Sequence, residues 1–233
     1  MKNKFLVESE NKNWITLLKE LLDKKINETL QHNHKCNIFL TGGRSAKVFY
    51  QNWLLGLGSI LKKIDFYFGD ERCLDANDLN KNSTMVEEIF KSLNISGYSL
   101  HSIHTEGGNF KESAKIYGEN SAQELDIILL SLGDDGHVAS LFPNSEGLKA
   151  IDSGYVYTQG PAPYKDRISI TVPMINQFRC KIVLVIGKAK GIAFKNTYKP
   201  SSQATDYPLL LLKDLIFIFD KDAYDEIGSQ NLT

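Results

Sequence analysis

His137 closes the run Gly133-Asp134-Asp135-Gly136-His137, with one acid two residues before it and a second three before it. Imidazole exchanges a proton near neutral pH, and a neighbouring carboxylate can orient it for that work. The run therefore suits general-base chemistry, on a water or on a substrate proton. Taken alone it fits a histidine in an ordinary surface loop more readily. Its company shifts that balance. Gly42, Gly43, Arg44 and Ser45 fall just beyond one expected strand, Asp70 and Arg72 beyond another, and Gly187 and Lys190 beyond a third, while Arg167 opens a fourth. Arginine and lysine suit phosphate, arginine through its forked donors. A glycine pair ahead of a helix lets backbone N–H groups approach an anion, helped by the partial positive charge of the helix start. The glycine spacing is neither a Walker A loop nor a dinucleotide fingerprint, so a plain turn at residues 41–45 stays open. Together these residues suit a small phosphorylated substrate whose other end meets an acid–base group. The competing reading makes each of them a solvated surface charge.

Such a site needs a scaffold that gathers strand ends. Residues 127–130, I-I-L-L, read as a buried strand running into the His137 loop. Residues 37–40, Ile64–Phe68, 181–186 and Leu215–Phe219 are similar apolar runs, and 167–172 alternates as R-I-S-I-T-V, a half-buried strand. Between them, Trp14, Leu18, Leu22 and Ile26 recur at helical spacing. Further helices are predicted over 46–57, around Val86, Ile89 and Phe90 with Ser83 or Thr84 as cap, over 110–125, and from Gly187 to about residue 195. Residues 148–164 read as irregular or hairpin-like, and the tail from Gly228 is expected to fray. The alternation predicts an α/β, Rossmann-like layered fold, a mostly parallel sheet flanked by helices, as a single domain over 1–233. In such sheets ligands bind beyond the carboxyl ends of the strands, where the reactive residues fall. Asp70-Glu71-Arg72 is expected at a site rim, because three charges are costly to bury.

Composition narrows the classes. A net charge of −1 offers nothing to nucleic acid or an anionic membrane. The most apolar stretch, 208–219, is interrupted by Lys213 and Asp214 and is far too short to span a bilayer. The run 5–7 is too short for the core of a signal peptide. Cys36, Cys73 and Cys180 are scattered, without metal-ligand spacing, as expected of a cytoplasmic protein with free thiols. Cys73, beside Arg72, reads as a bystander rather than a nucleophile. His32 and His34 read as a solvated turn, and His101 and His104 as surface residues. No metal or organic cofactor is expected.

Longer matches add a resemblance. Leu40-Thr41-Gly42-Gly43-Arg44-Ser45 is similar to a phosphate loop S-G-G-S-T-P, and Asp70-Glu71-Arg72 to a D-E-R motif followed by an asparagine at the place of Asn82. The run from Gly133 to Pro143 matches G-x-D-G-H-x-A-S-L-F-P almost throughout. Arg167-Ile168-Ser169-Ile170-Thr171 resembles P-R-x-T-x-T, Gly187 to Lys190 resembles G-x-x-K, and Asp220 with Ala223 a closing D-x-x-A. Over nearly its whole length the chain thus resembles the 6-phosphogluconolactonases, within the larger glucosamine-6-phosphate isomerase group. The resemblance implies hydrolysis of 6-phospho-D-glucono-1,5-lactone, the second step of the oxidative pentose phosphate pathway, without a cofactor. It implies His137 as base, Asp135 as its tuner and Arg72 near the lactone. Gly42, Gly43, Ser45, Arg167 and Lys190 would hold the phosphate, with Asp70 and Asn82 in the same substrate site. The partner is the sugar-phosphate lactone, and the expected assembly is a monomer or weak homo-oligomer.

The chain departs from the pattern at Arg44 and Ala46, where the family has Ser and Pro, at Leu74-Asp75 in place of V-P, and at Ser131 in place of a glycine. Arg44 can donate to phosphate or point to solvent, and both stay open. The isomerase branch follows its D-G-H core with A-F-N-E-P-G, whose Glu would fall at Phe142. A non-catalytic sugar-phosphate sensor is the other alternative, although there is no room for a helix-turn-helix before the first expected strand.

Overall fold

The computed structural model describes residues 3–199, 201–203 and 206–228. The tail expected to fray lies, from residue 229, outside them. The chain opens with β1 (Lys4–Val7), α1 (Trp14–Leu30), β2 (Cys36–Leu40), α2 (Arg44–Trp53), β3 (Ile64–Phe68) and β4 (Asp70–Arg72). Next come α3 (Asn82–Ser92), β5 (Ser99–Leu100), α4 (Phe110–Asn120), β6 (Ile127–Ser131), β7 (Tyr155–Gln159) and β8 (Asp166–Ile170). It closes with α5 (Val172–Gln177), β9 (Cys180–Val185), α6 (Lys188–Thr197), β10 (Leu215–Phe219) and α7 (Lys221–Ile227).

Seven strands form a parallel sheet in the order β1-β10-β9-β6-β2-β3-β5, flanked by helices as the alternation predicts. Parallel strands covered on both faces lose the polar alternation of half-exposed ones. Ile127–Leu130 of β6 and all six residues of β9 are accordingly buried. The helices seal this layer with apolar stripes: Leu18, Leu22 and Ile26 from α1, and Phe49, Tyr50 and Trp53 from α2, are at most 1% exposed. Residues 155–170 are the hairpin β7–β8, part of a second, antiparallel sheet in the order β4-β8-β7.

The structure corrects the sequence reading at Asp70-Glu71-Arg72. These residues are a strand of the small sheet, and Glu71 is fully buried instead of lying at a rim. Its carboxylate accepts the backbone N–H groups of Arg72, Asn82 and Ser83 at 2.7–2.8 Å. Charge-assisted bonds to three otherwise unmet donors offset the cost of burial. Burial pushes the Glu71 carboxyl up and the three N–H groups pull it down, with a net rise. Glu71 thereby caps α3 from another element, the task expected of Ser83 or Thr84, and neither caps the helix. Helix α2 gives way after Trp53 to 3-10 turns over Leu54–Lys63, with Gly58 at φ 49°. No helix among the described residues is long and apolar enough to cross a membrane.

Candidate active site

Strand β6 ends at Ser131, and the chain then folds back on itself. Gly133 N–H donates to the His137 carbonyl at 2.8 Å, and Leu132 pairs with Val138. A Cβ on Gly133 would lie 2.1 Å from His137 Nδ1, so the imidazole occupies space that any side chain would fill. Nδ1 lies 2.5 Å from Asp135 Oδ1, and the same oxygen accepts the His137 backbone N–H at 3.1 Å. A carboxylate only accepts, so the ring proton sits on Nδ1 and Nε2 carries the free lone pair. Burial pushes the Asp135 carboxyl up, but the hydrogen bonds from the His137 ring and backbone N–H pull it down, and it stays below the usual carboxylate range. The Phe142 ring packs against the imidazole, centroids 4.6 Å apart.

His137 and Asp135 open onto a cavity of about 510 Å³. Gly42, Gly43 and Arg44 line one part of its wall, Asp70, Arg72, Asn82 and Arg167 another, and Lys190 a third. Of the residues assigned to the site from the sequence, all but Ser45 and Gly187 therefore meet around one space. Those two lie in an adjoining recess with Arg44, Asp134 and Lys188.

The small sheet explains how Arg72 and Arg167 meet. They are register partners across β4 and β8. Like charges directly opposite repel, and among the described residues neither is in an ion pair within 4.0 Å. Arg72 Nη1 donates to the Asn80 carbonyl at 2.5 Å, and its guanidinium lies 5.3 Å from the Tyr164 ring centroid. Arg72 Nε is buried and has no hydrogen-bond partner among the described residues. Arg167 Nε donates to the Tyr164 carbonyl at 2.6 Å, and its guanidinium lies 5.8 Å from the Phe142 ring centroid. Two guanidiniums with donors to spare at a cavity wall are the chemistry of an anion site.

Asp70 and Asn82 line the cavity but spend polar atoms internally. Asp70 Oδ2 accepts Ser140 Oγ–H at 2.6 Å, tying β4 to the His137 loop. Asn82 Nδ2 donates to the Asp70 carbonyl at 2.9 Å. Lys190 Nζ donates to Ser131 Oγ at 2.7 Å, which makes Ser131, marked in the sequence only as standing where the family has glycine, a site residue. The available signal was a hydroxyl at the last position of a buried central strand. Burial, then Asp166 and Glu71, push the Cys73 thiol up to about 12, unfit as a nucleophile and consistent with a bystander. His104 is 89% exposed, and no group of three metal-ligating side chains occurs among the described residues.

Fold and cavity define a parallel α/β protein with a carboxylate-oriented histidine facing a cationic pocket. A family model described as glucosamine-6-phosphate isomerases/6-phosphogluconolactonase matches residues 9–215, and the chain belongs to that family. The 6-phosphogluconolactonase of a Synechocystis species is 27% identical over 87% of this chain and 89% of its own. That of a Nostoc species is 28% identical over 90% of this chain and 92% of its own. Among solved structures, the 6-phosphogluconolactonase of Trypanosoma cruzi superposes with a TM-score of 0.82 at 23% identity, covering 100% of this chain and 97% of that one. That of Thermotoga maritima gives 0.79 at 20% identity, over 94% and 100%.

Proposed function

We propose that this chain hydrolyses 6-phospho-D-glucono-1,5-lactone to 6-phospho-D-gluconate, the second step of the oxidative pentose phosphate pathway, in the cytoplasm. The observation that carries this reading is the 2.5 Å Nδ1–Asp135 contact, which leaves His137 Nε2 as a base beside a cationic cavity. Family membership and the named lactonase relatives support the same substrate.

In this reading Nε2 takes a proton from water as the water oxygen attacks the lactone carbonyl carbon. Arg72 stabilises the charge that develops on the carbonyl oxygen. The bond from that carbon to the ring oxygen then breaks, and the imidazolium returns its proton to the ring oxygen. The 6-phosphate is held by the amides of Gly42 and Gly43 and by Ser45, Arg167 and Lys190, which places the carbonyl against the water. Asp70 and Asn82 shape the wall beneath Gly42. Phe142 offers no carboxylate for a sugar deaminase, which favours water activation over a substrate proton shuttle.

The test is a lactonase assay corrected for spontaneous ring opening. His137→Ala should lower catalysed turnover by about 10²- to 10⁴-fold with thermal unfolding little changed. Near-wild-type turnover in that variant removes His137 from the mechanism. Turnover of glucosamine 6-phosphate without lactonase activity overturns the substrate assignment, and ligand binding without any turnover makes the protein a sensor.

A further inference from the structure

Ser131 ends β6, the strand between β9 and β2. Its side chain joins the edge of the large sheet to the first turn of α6, because Oγ accepts Lys190 Nζ at 2.7 Å. Both residues line the cavity that holds His137. Among the described residues no carboxylate lies within 4.0 Å of the Lys190 ammonium, and Ser131 Oγ is its one hydrogen-bond partner. An ammonium on a four-carbon stem has many rotamers, so a single fixed acceptor decides where its charge sits. It carries three N–H donors, and Ser131 takes one. Among the described residues the serine hydroxyl is used only as an acceptor, and its own O–H donates to none of them. Accepting a bond from a cation polarises that O–H and makes it a stronger donor.

We propose that Ser131 is a positioning residue for substrate: it pins the Lys190 ammonium at the cavity wall, and the pair together grips the anionic end of the sugar phosphate. The inference rests on the phosphate grip assigned to Lys190 above. A phosphate oxygen meets the two remaining N–H groups of Lys190, and the polarised O–H of Ser131 is given to the same group. Ser131 acts on binding and not on the proton transfers at His137, so its removal separates KM from kcat.

The experiment compares Ser131→Ala, Ser131→Thr, Lys190→Ala and the double variant Ser131→Ala/Lys190→Ala. It measures kcat and KM for the lactone, and Kd for 6-phosphogluconate and inorganic phosphate by calorimetry. Ser131→Ala should raise KM and both Kd values about five- to tenfold, with kcat within about twofold. Ser131→Thr, which keeps the hydroxyl, should return them to within about twofold of wild type. Once Lys190 is alanine, also removing the Ser131 hydroxyl should change Kd by only about two- to threefold, because the O–H then lost is no longer polarised by a cation and has no ammonium to hold. Unchanged Kd values in Ser131→Ala, or effects of the two substitutions that simply multiply, overturn the inference. If the wild-type protein binds both probes but leaves the lactone intact, the hydrolase reading fails and the Kd arms still judge Ser131. If the wild type binds neither probe, both readings fall.

Discussion

At the end of β2 the chain passes through Gly43, at φ 93°, into α2, and at the end of β9 it passes through Gly187, at φ 96°, into α6. Each helix is ten residues long and starts from a glycine that offers no side-chain cap. The two junctions differ in what meets their amides. Gly187 N–H donates to Asp220 Oδ1 at 2.9 Å, and the same oxygen accepts Ala223 N–H at 2.9 Å as the cap of α7. The amides of Gly42 and Gly43 meet no acceptor among the described residues. The second junction is closed by the protein and contributes a side chain, Lys190. The first is left open and contributes backbone. On the function proposed above, one local fold serves as an anion cradle only where its donors are left unspent.

The largest expected effect sets the two junctions against each other by adding one methyl to each. A Cβ at Gly42 would lie 1.9 Å from Asn82 Oδ1, and Asn82 is held in turn by the Asp70 carbonyl. Relief of that clash moves the cavity wall. Gly42→Ala should lower kcat/KM about 100-fold or more and cost roughly 1–3 kcal/mol of stability. A Cβ at Gly187 meets nothing within 4 Å among the described residues, so Gly187→Ala carries the strain of its positive φ. That costs about 1–2 kcal/mol, and kcat/KM should fall less than about fivefold. Steady-state kinetics and thermal unfolding of the two variants check the order. Equal losses of kcat/KM would mean that the closed junction is as catalytic as the open one.

Asp220→Ala tests the closure itself. It removes one acceptor from Gly187 and from α7 together. Loss of a cap of this kind costs about 1–2 kcal/mol. A lower unfolding temperature is expected, with KM raised about two- to threefold as the first turn of α6 loosens around Lys190. A loss of phosphate binding as large as that of Gly42→Ala would show that the second junction also works through its backbone.

The same contrast explains what could be read from the sequence. Strands β6 and β9 are buried on both faces, so their apolar runs and terminal glycines mark the carboxyl edge directly, and the residues beyond them meet around the cavity. Glu71 could not be read this way. Three adjacent charges look like a rim until the N–H groups of Arg72, Asn82 and Ser83 converge on that one carboxylate. The Arg72–Arg167 pair depends on a register between strands far apart in sequence, which no local pattern encodes. Ser131 was visible only as a missing glycine, because its partner Lys190 arrives from another strand end. Strand β5 has two residues, too few for any periodicity, and the apolar run of β1 is only slightly longer.

Arg44 carries the smallest expected effect and the finest test of the open junction. It is the first residue of α2, is exposed, and borders both the cavity and the adjoining recess. A cation at a helix N-terminus opposes the macrodipole, so it adds little to the stability of α2. Its attraction for a phosphate acts through solvent, where about 8 Å of Debye screening operates at physiological salt. Arg44→Ala should therefore raise KM about two- to threefold at low ionic strength, and the difference should vanish near 0.5 M salt, roughly where screening reaches contact distance. The defect of Gly42→Ala is steric and should persist at both ionic strengths. A salt-independent rise of about tenfold in Arg44→Ala would make Arg44 a direct ligand. The open junction would then grip phosphate by a side chain as the closed one does, and the difference between the two would lie in which residue reaches the anion rather than in whether the backbone does.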